Sequence, residues 1–231
     1  MKSLQIVTFV VDKDLDIKNH FIALKAYERN KDRGFTQNKE EISENLLKLT
    51  SNEEVRIQIE KFIEQYYKKE EKLFSLVNDI NEEWIKIERD VISKLETIHK
   101  FPFSFTSIKG VLSSANRFGY NSDEGWFATN MRTNKYICID VATHELMHFM
   151  FHKYYDQVCV EKGLNKNQMW DVKEAFSVLL NVEFDQFRFQ SDSGKNHPLH
   201  LALREIIKSS WEKKHNFDEA LQEAIEYIKS V

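Results

Sequence analysis

The sequence predicts an α+β fold that is mainly helical, and three observations carry that prediction. Gly and Pro are scarce, six and two in 231 residues, which favours long helices over a turn-rich all-β chain. Residues 39–100 read almost throughout as amphipathic helix, with Leu73, Leu76, Val77, Ile80, Trp84, Ile87, Val91 and Leu95 recurring at steps of three and four among Lys and Glu. After Phe101-Pro102 the character changes: residues 103–113, 125–130 and 136–141 are short, β-rich stretches separated by Gly, Asn and Ser, as the strands of a small sheet are.

Residues 4–11 alternate and are rich in β-branched side chains, which predicts a first strand, and a helical pattern follows over 17–27. Residues 39–100 form two or three packed helices. Beyond the sheet, helices are predicted over 142–155, 167–187, 198–210 and 218–229, with Pro198 at the first-turn position that tolerates it. No internal repeat or low-complexity linker interrupts the chain. The expected organisation is an N-terminal strand and helical region, residues 1–100, packed on a second region, 101–231, in which a small mixed sheet lies against the helix beginning near residue 142.

Charge narrows the function classes. Against 37 acidic side chains stand 33 basic ones, a formal charge of -4 with no strongly basic stretch, so nucleic acid is not an expected partner. No segment reaches the roughly 20 apolar residues of a membrane span, and the N-terminus lacks a signal peptide's length and cleavage site. The two cysteines, Cys138 and Cys159, form no CxxC pattern, which suits a reducing compartment; the cytoplasm is expected.

The chemistry concentrates at His144-Glu145-Leu-Met-His148, an HExxH motif on a predicted helix directly after a predicted strand. Four residues advance about 400° and about 6 Å along a helix, so both imidazoles leave one face and can meet one tetrahedral Zn2+ at about 2.0–2.1 Å. Glu145 falls beside them without being a ligand, placed as general base for a zinc-bound water. Positions 141, 142, 146, 147, 149 and 150 carry no charge, so these three polar side chains sit in an apolar helix and need a satisfying partner, which a metal supplies.

The stretch from about 125 to 181 resembles the zincin metallopeptidases, and more narrowly the thermolysin-like gluzincins, over about a quarter of the chain. The resemblance implies a zinc-dependent peptidase, a hydrolase acting on peptide or protein substrates as an endopeptidase. It also implies a second helix supplying a glutamate as third ligand. His152 is four residues beyond His148, but it lies about 12 Å from His144 along an unbroken helix, too far for ligands whose donor atoms fall within about 4 Å of one another. Glu174 is the better candidate, 26 residues after His148 on a nearly all-apolar helix. There Glu174, Ser177 and Asn181 form one polar stripe, and a buried carboxylate needs a cation. Ser177 and Asn181 would then orient an imidazole from behind. Asp171, one turn earlier, is the alternative ligand, and a surface carboxylate paired with Lys173 or solvent is the plain structural reading.

In gluzincins the strand before the active-site helix is an edge strand to which substrate adds. By that resemblance Ala128 and Asn130, in a hairpin of 126–130 with 135–139, would bind the peptide backbone. A downstream His, Tyr or Arg would stabilise the oxyanion; His197 is favoured over His200 and Arg204. Two other readings stay open: a zincin-scaffold binding or regulatory protein with no general peptidase activity, and a metal-free interaction protein working through the N-terminal helices, where a regulatory partner could also dock.

Overall fold

A computed structural model describes residues 5–31, 46, 51–68, 70–115, 118–187 and 198–231. The fold is α+β and mainly helical, with one small mixed sheet of four strands among the described residues. Contacts divide the chain into two compact units, residues 1–86 with 105–142, and residues 87–104 with 143–231. Both units draw on residues from either side of position 100. No helix among the described residues is long and apolar enough to cross a membrane.

The first unit holds the sheet. Strands β1 (Val7–Val10), β2 (Ile108–Ser113), β3 (Tyr120–Asn121) and β4 (Trp126–Asn130) lie in the order β1-β2-β4-β3. β2 runs parallel to both β1 and β4, and β3 is antiparallel to β4. Parallel neighbours need a crossover, and between β1 and β2 the chain passes through helices α1 (Lys13–Lys31), α2 (Asn52–Tyr67) and α3 (Glu70–His99). Ser51 and Glu54 start α2 with a reciprocal capping box that satisfies two helix-end donors. From α3, Asn81 caps the outer edge of β1: its Oδ1 accepts from Phe9 N at 2.9 Å and its Nδ2 donates to Phe9 O at 3.0 Å. The Phe9 ring packs edge-on to Trp84 and Phe127, with centroids 6.3 and 5.9 Å away. Gly110 makes room for it, since a Cβ there would stand 2.7 Å from Phe9 Cδ1.

A buried polar knot ties α1 to the end of β2. The fully buried Asp16 carboxylate accepts from Ser113 Oγ, from Ser114 N at 3.0 Å and from Ser114 Oγ at 3.0 Å, while His20 Nε2 lies 2.8 Å from Ser114 Oγ. Asn19 completes it, donating to Ser113 Oγ and accepting from Gly119 N. Burial without water is tolerable here because the carboxylate is surrounded by donors.

Residues 136–141, expected as a strand, are the first turns of helix α4 (Lys135–Glu161). The β-branched and aromatic run Tyr-Ile-Cys-Ile is overridden by a helix start at Asn134, whose Oδ1 accepts from Tyr136 N and Ile137 N at 3.0 and 3.1 Å. The hairpin of 126–130 with 135–139 therefore does not form. Strand β2 also begins at Ile108, five residues later than expected.

The second unit contains the rest of α4 followed by α5 (Lys166–Phe176), α6 (Val178–Glu183), a short 3-10 turn (Asp185–Phe187), α7 (Pro198–Lys214) and α8 (Phe217–Ser230). Helix α4 stops at Gly163, which takes φ +81°, a conformation glycine adopts without strain. Asn165 and Gln168 open α5 with a second capping box. One continuous helix was expected over 167–187; instead it breaks at Ser177 into α5 and α6. The core beneath is aromatic: Phe217 of α8 stacks on Phe176 and Tyr155, with centroids 4.3 and 4.5 Å away, and packs tilted against the His99 ring at 4.5 Å.

Candidate metal centre

The centre lies within the second unit, on α4 and α5. His144 and His148 leave one face of α4, their ring centroids 4.3 Å apart and their planes at 80°, as one helical turn between them requires. Glu174 comes from α5 and brings Oε2 to 3.8 Å from His144 Nε2 and 3.5 Å from His148 Nε2. One donor atom from each residue can be chosen so that all three lie within 4.8 Å of one another. Donors at about 2.0–2.1 Å from a tetrahedral zinc stand about 3.3 Å apart, a contraction that small side-chain rotations provide. His148 is 1% exposed, whereas the His144 and Glu174 side chains are 23% and 24% exposed. The cluster is thus closed on one side and reaches solvent on the other.

Electrostatics prepares the ligand forms. Burial holds the His148 imidazole down to about 3, aided by Lys173 and opposed by Glu174, so it is neutral at pH 7, the form that ligates a metal. Burial pushes Glu174 upward, but Lys173 and the two imidazoles together outweigh it and hold the carboxyl well below its ordinary range. Glu145 behaves differently: burial pushes it up to about 8, with Lys173 opposing the rise and Glu174 adding to it. Its Oε2 is buried with no hydrogen-bond partner among the described residues. Two imidazoles and an ionised carboxylate are ligand types that could hold a metal ion such as zinc, and the Glu145 oxygen is not one of those three donors.

Ser177 and Arg204 anchor the turn that carries Glu174. Ser177 Oγ donates to Glu174 O at 2.7 Å and accepts from Arg204 Nη1 at 2.8 Å, fastening the turn that carries Glu174 to α7. Ser177 thus braces the backbone of the glutamate, and the polar stripe from Glu174 to Asn181 bends where α5 gives way to α6; Asn181 lies half-buried on α6. Asp171, the alternative ligand, is buried against His200, with Oδ1 2.8 Å from Nε2, and stands outside the cluster. His152 Nδ1 pairs instead with Asp156 at 2.7 Å.

Other expected positions fall elsewhere. His197 lies outside the described residues. Ala128 and Asn130 are buried on β4, in the first unit. β4 is not the edge strand that the gluzincin resemblance implies: it lies between β2 and β3, and Ala128 N donates to Gly119 O at 2.8 Å. Asn130 Oδ1 accepts from Arg132 N at 2.7 Å.

Lys173, expected only as a surface partner of the carboxylate, does pair with Glu174 but is buried. It is 2% exposed, and its Nζ donates to Glu174 Oε1 at 2.7 Å. Its signal in the sequence was a lysine flanked by Val172, Ala175 and Phe176, where a buried cation needs a specific partner. Comparisons with protein-family models, curated proteins and solved structures find no match for the chain.

Proposed function

We propose that the chain is a zinc metallopeptidase of the gluzincin type, in which His144, His148 and Glu174 hold the metal and Glu145 is the general base. The observation that carries this reading is the meeting of three ligand-type side chains beside a buried carboxylate oxygen with no hydrogen-bond partner among the described residues. When bound, zinc supplies a Lewis acid that brings the pKa of a coordinated water to about 7.

The chain's own residues do the rest. Glu145 takes a proton from the attacking water as its oxygen bonds to the substrate carbonyl carbon. The same carboxyl then delivers that proton to the leaving nitrogen as the C–N bond breaks. Burial raises the proton affinity of the Glu145 carboxylate, which favours its accepting a proton in the first step. His148, sealed from solvent, would hold the metal from the buried side of the cluster, and the part-exposed His144 and Glu174 border the side from which substrate would approach. Cys138 and Cys159 are both free and buried, which supports a reducing compartment such as the cytoplasm.

The test is digestion of a diverse peptide pool by zinc-loaded protein, read by mass spectrometry, with chelated protein and Glu145→Gln as controls. Cleavage that both controls abolish is the expected result. No cleavage by the zinc-loaded protein would replace the peptidase by a metal-bearing binding or regulatory protein.

A further inference from the structure

Neighbouring residues on a helix point about 100° apart and do not ordinarily face each other. Lys173 and Glu174 do meet, at 2.7 Å, and the lysine is buried rather than reaching for solvent. A long, flexible ammonium side chain gives up its hydration only where a fixed anion compensates it. The anion here is one oxygen of a carboxylate whose other oxygen faces two imidazoles. The two oxygens of Glu174 are therefore assigned to different partners, Oε1 to Lys173 and Oε2 to His144 and His148.

We infer that Lys173 is a positioning residue that restricts Glu174 to single-oxygen ligation, so that the metal keeps an open coordination position. This rests on the metal-site reading above. A glutamate with both oxygens available can chelate, and a chelating carboxylate fills the place that water or a substrate carbonyl needs. A cation clamped on Oε1 removes that option, because binding the metal through both oxygens would break a part-buried charge-assisted hydrogen bond. Lys173 acts only through Glu174 in this role. It differs from Ser177 and Arg204, which hold the backbone of the same turn and leave the choice of oxygen untouched.

The test reads coordination rather than turnover. Zinc-edge X-ray absorption of the wild-type protein is expected to show one glutamate oxygen at about 2.0–2.2 Å and no second one. In cobalt-substituted protein, Lys173→Met is expected to weaken and shift the visible d–d bands as the metal becomes five-coordinate, and to weaken azide binding at the open position at least about tenfold, at the lower end of what outer-shell partners contribute. Lys173→Gln, which keeps a donor for Oε1, should retain the wild-type spectrum. A chelating glutamate in the wild-type protein, or a folded Lys173→Met with unchanged cobalt spectrum and azide affinity, overturns this inference while leaving the metal site standing. Failure of the wild-type protein to take up either metal overturns both.

Discussion

His148 Nε2 and Glu174 Oε2, from residues 26 positions apart in the chain, stand 3.5 Å from each other. Gly163 ends α4 and the Asn165 cap begins α5 within three residues, so the chain turns between the two helices without a long loop. Arg204 and Ser177 then fasten the far end of α5. The pair is thus set by two short-range backbone devices and one long-range hydrogen bond.

Purified protein should bind about one zinc, the number a single three-ligand site holds. His148→Ala and Glu174→Ala should each weaken binding by more than the roughly 10–100-fold typical of outer-shell partners. Asp171→Ala should leave the affinity within about tenfold, because Asp171 is engaged by His200. Competition titration against a chromophoric chelator measures all three, and a larger loss from Asp171→Ala than from Glu174→Ala would reassign the third ligand.

Glu145→Gln should retain zinc and fold while lowering kcat by about 10²–10⁴, the usual contribution of a general base. Metal analysis and steady-state kinetics on a cleaved peptide check the two halves separately. Full activity in the amide variant would remove Glu145 from the mechanism.

Acid should destabilise the fold through His99. Burial among Tyr155, Phe217 and Met147 lowers this imidazole from an ordinary 6.5 to about 3. The unfolded chain therefore binds a proton that the folded chain refuses. Stability from this group is intact above about 6.5 and is lost as pH falls toward 3, by about 3 kcal/mol between pH 7 and pH 4. Urea unfolding at both pH values should show a shallower acid loss for His99→Phe than for the wild-type protein. Equal slopes would mean that His99 is protonated inside the fold.

Asp16→Ala should cost about 3 kcal/mol, since it leaves the buried Ser113 and Ser114 donors without their acceptor. Asp16→Asn, which keeps one acceptor oxygen and the shape, should cost less. Denaturant midpoints rank the two, and an alanine variant as stable as the wild-type protein would show that water reaches the knot.

Local chemistry was legible in the sequence. The mainly helical character follows from scarce Gly and Pro and from three- and four-residue apolar spacing, both properties of neighbouring positions. So does the shared face of His144 and His148, which any helix through them imposes. The choice of Glu174 followed from its place in an apolar helix, where a carboxylate has to be compensated.

Only the tertiary structure decided the rest. Residues 136–141 have strand composition yet form helix, because a cap at Asn134 and continuity with the following turns outweigh a propensity that is weak per residue. β4 became an interior strand because β3 pairs with its outer side, a relation between segments that no single stretch encodes. Asp171 and Glu174 are three residues apart and close to equivalent as a pattern, but packing turns one to His200 and the other to the imidazoles. A carboxylate paired with Lys173 was one reading of the sequence, but as a surface contact; only packing shows that the lysine of the Lys173–Glu174 pair is buried.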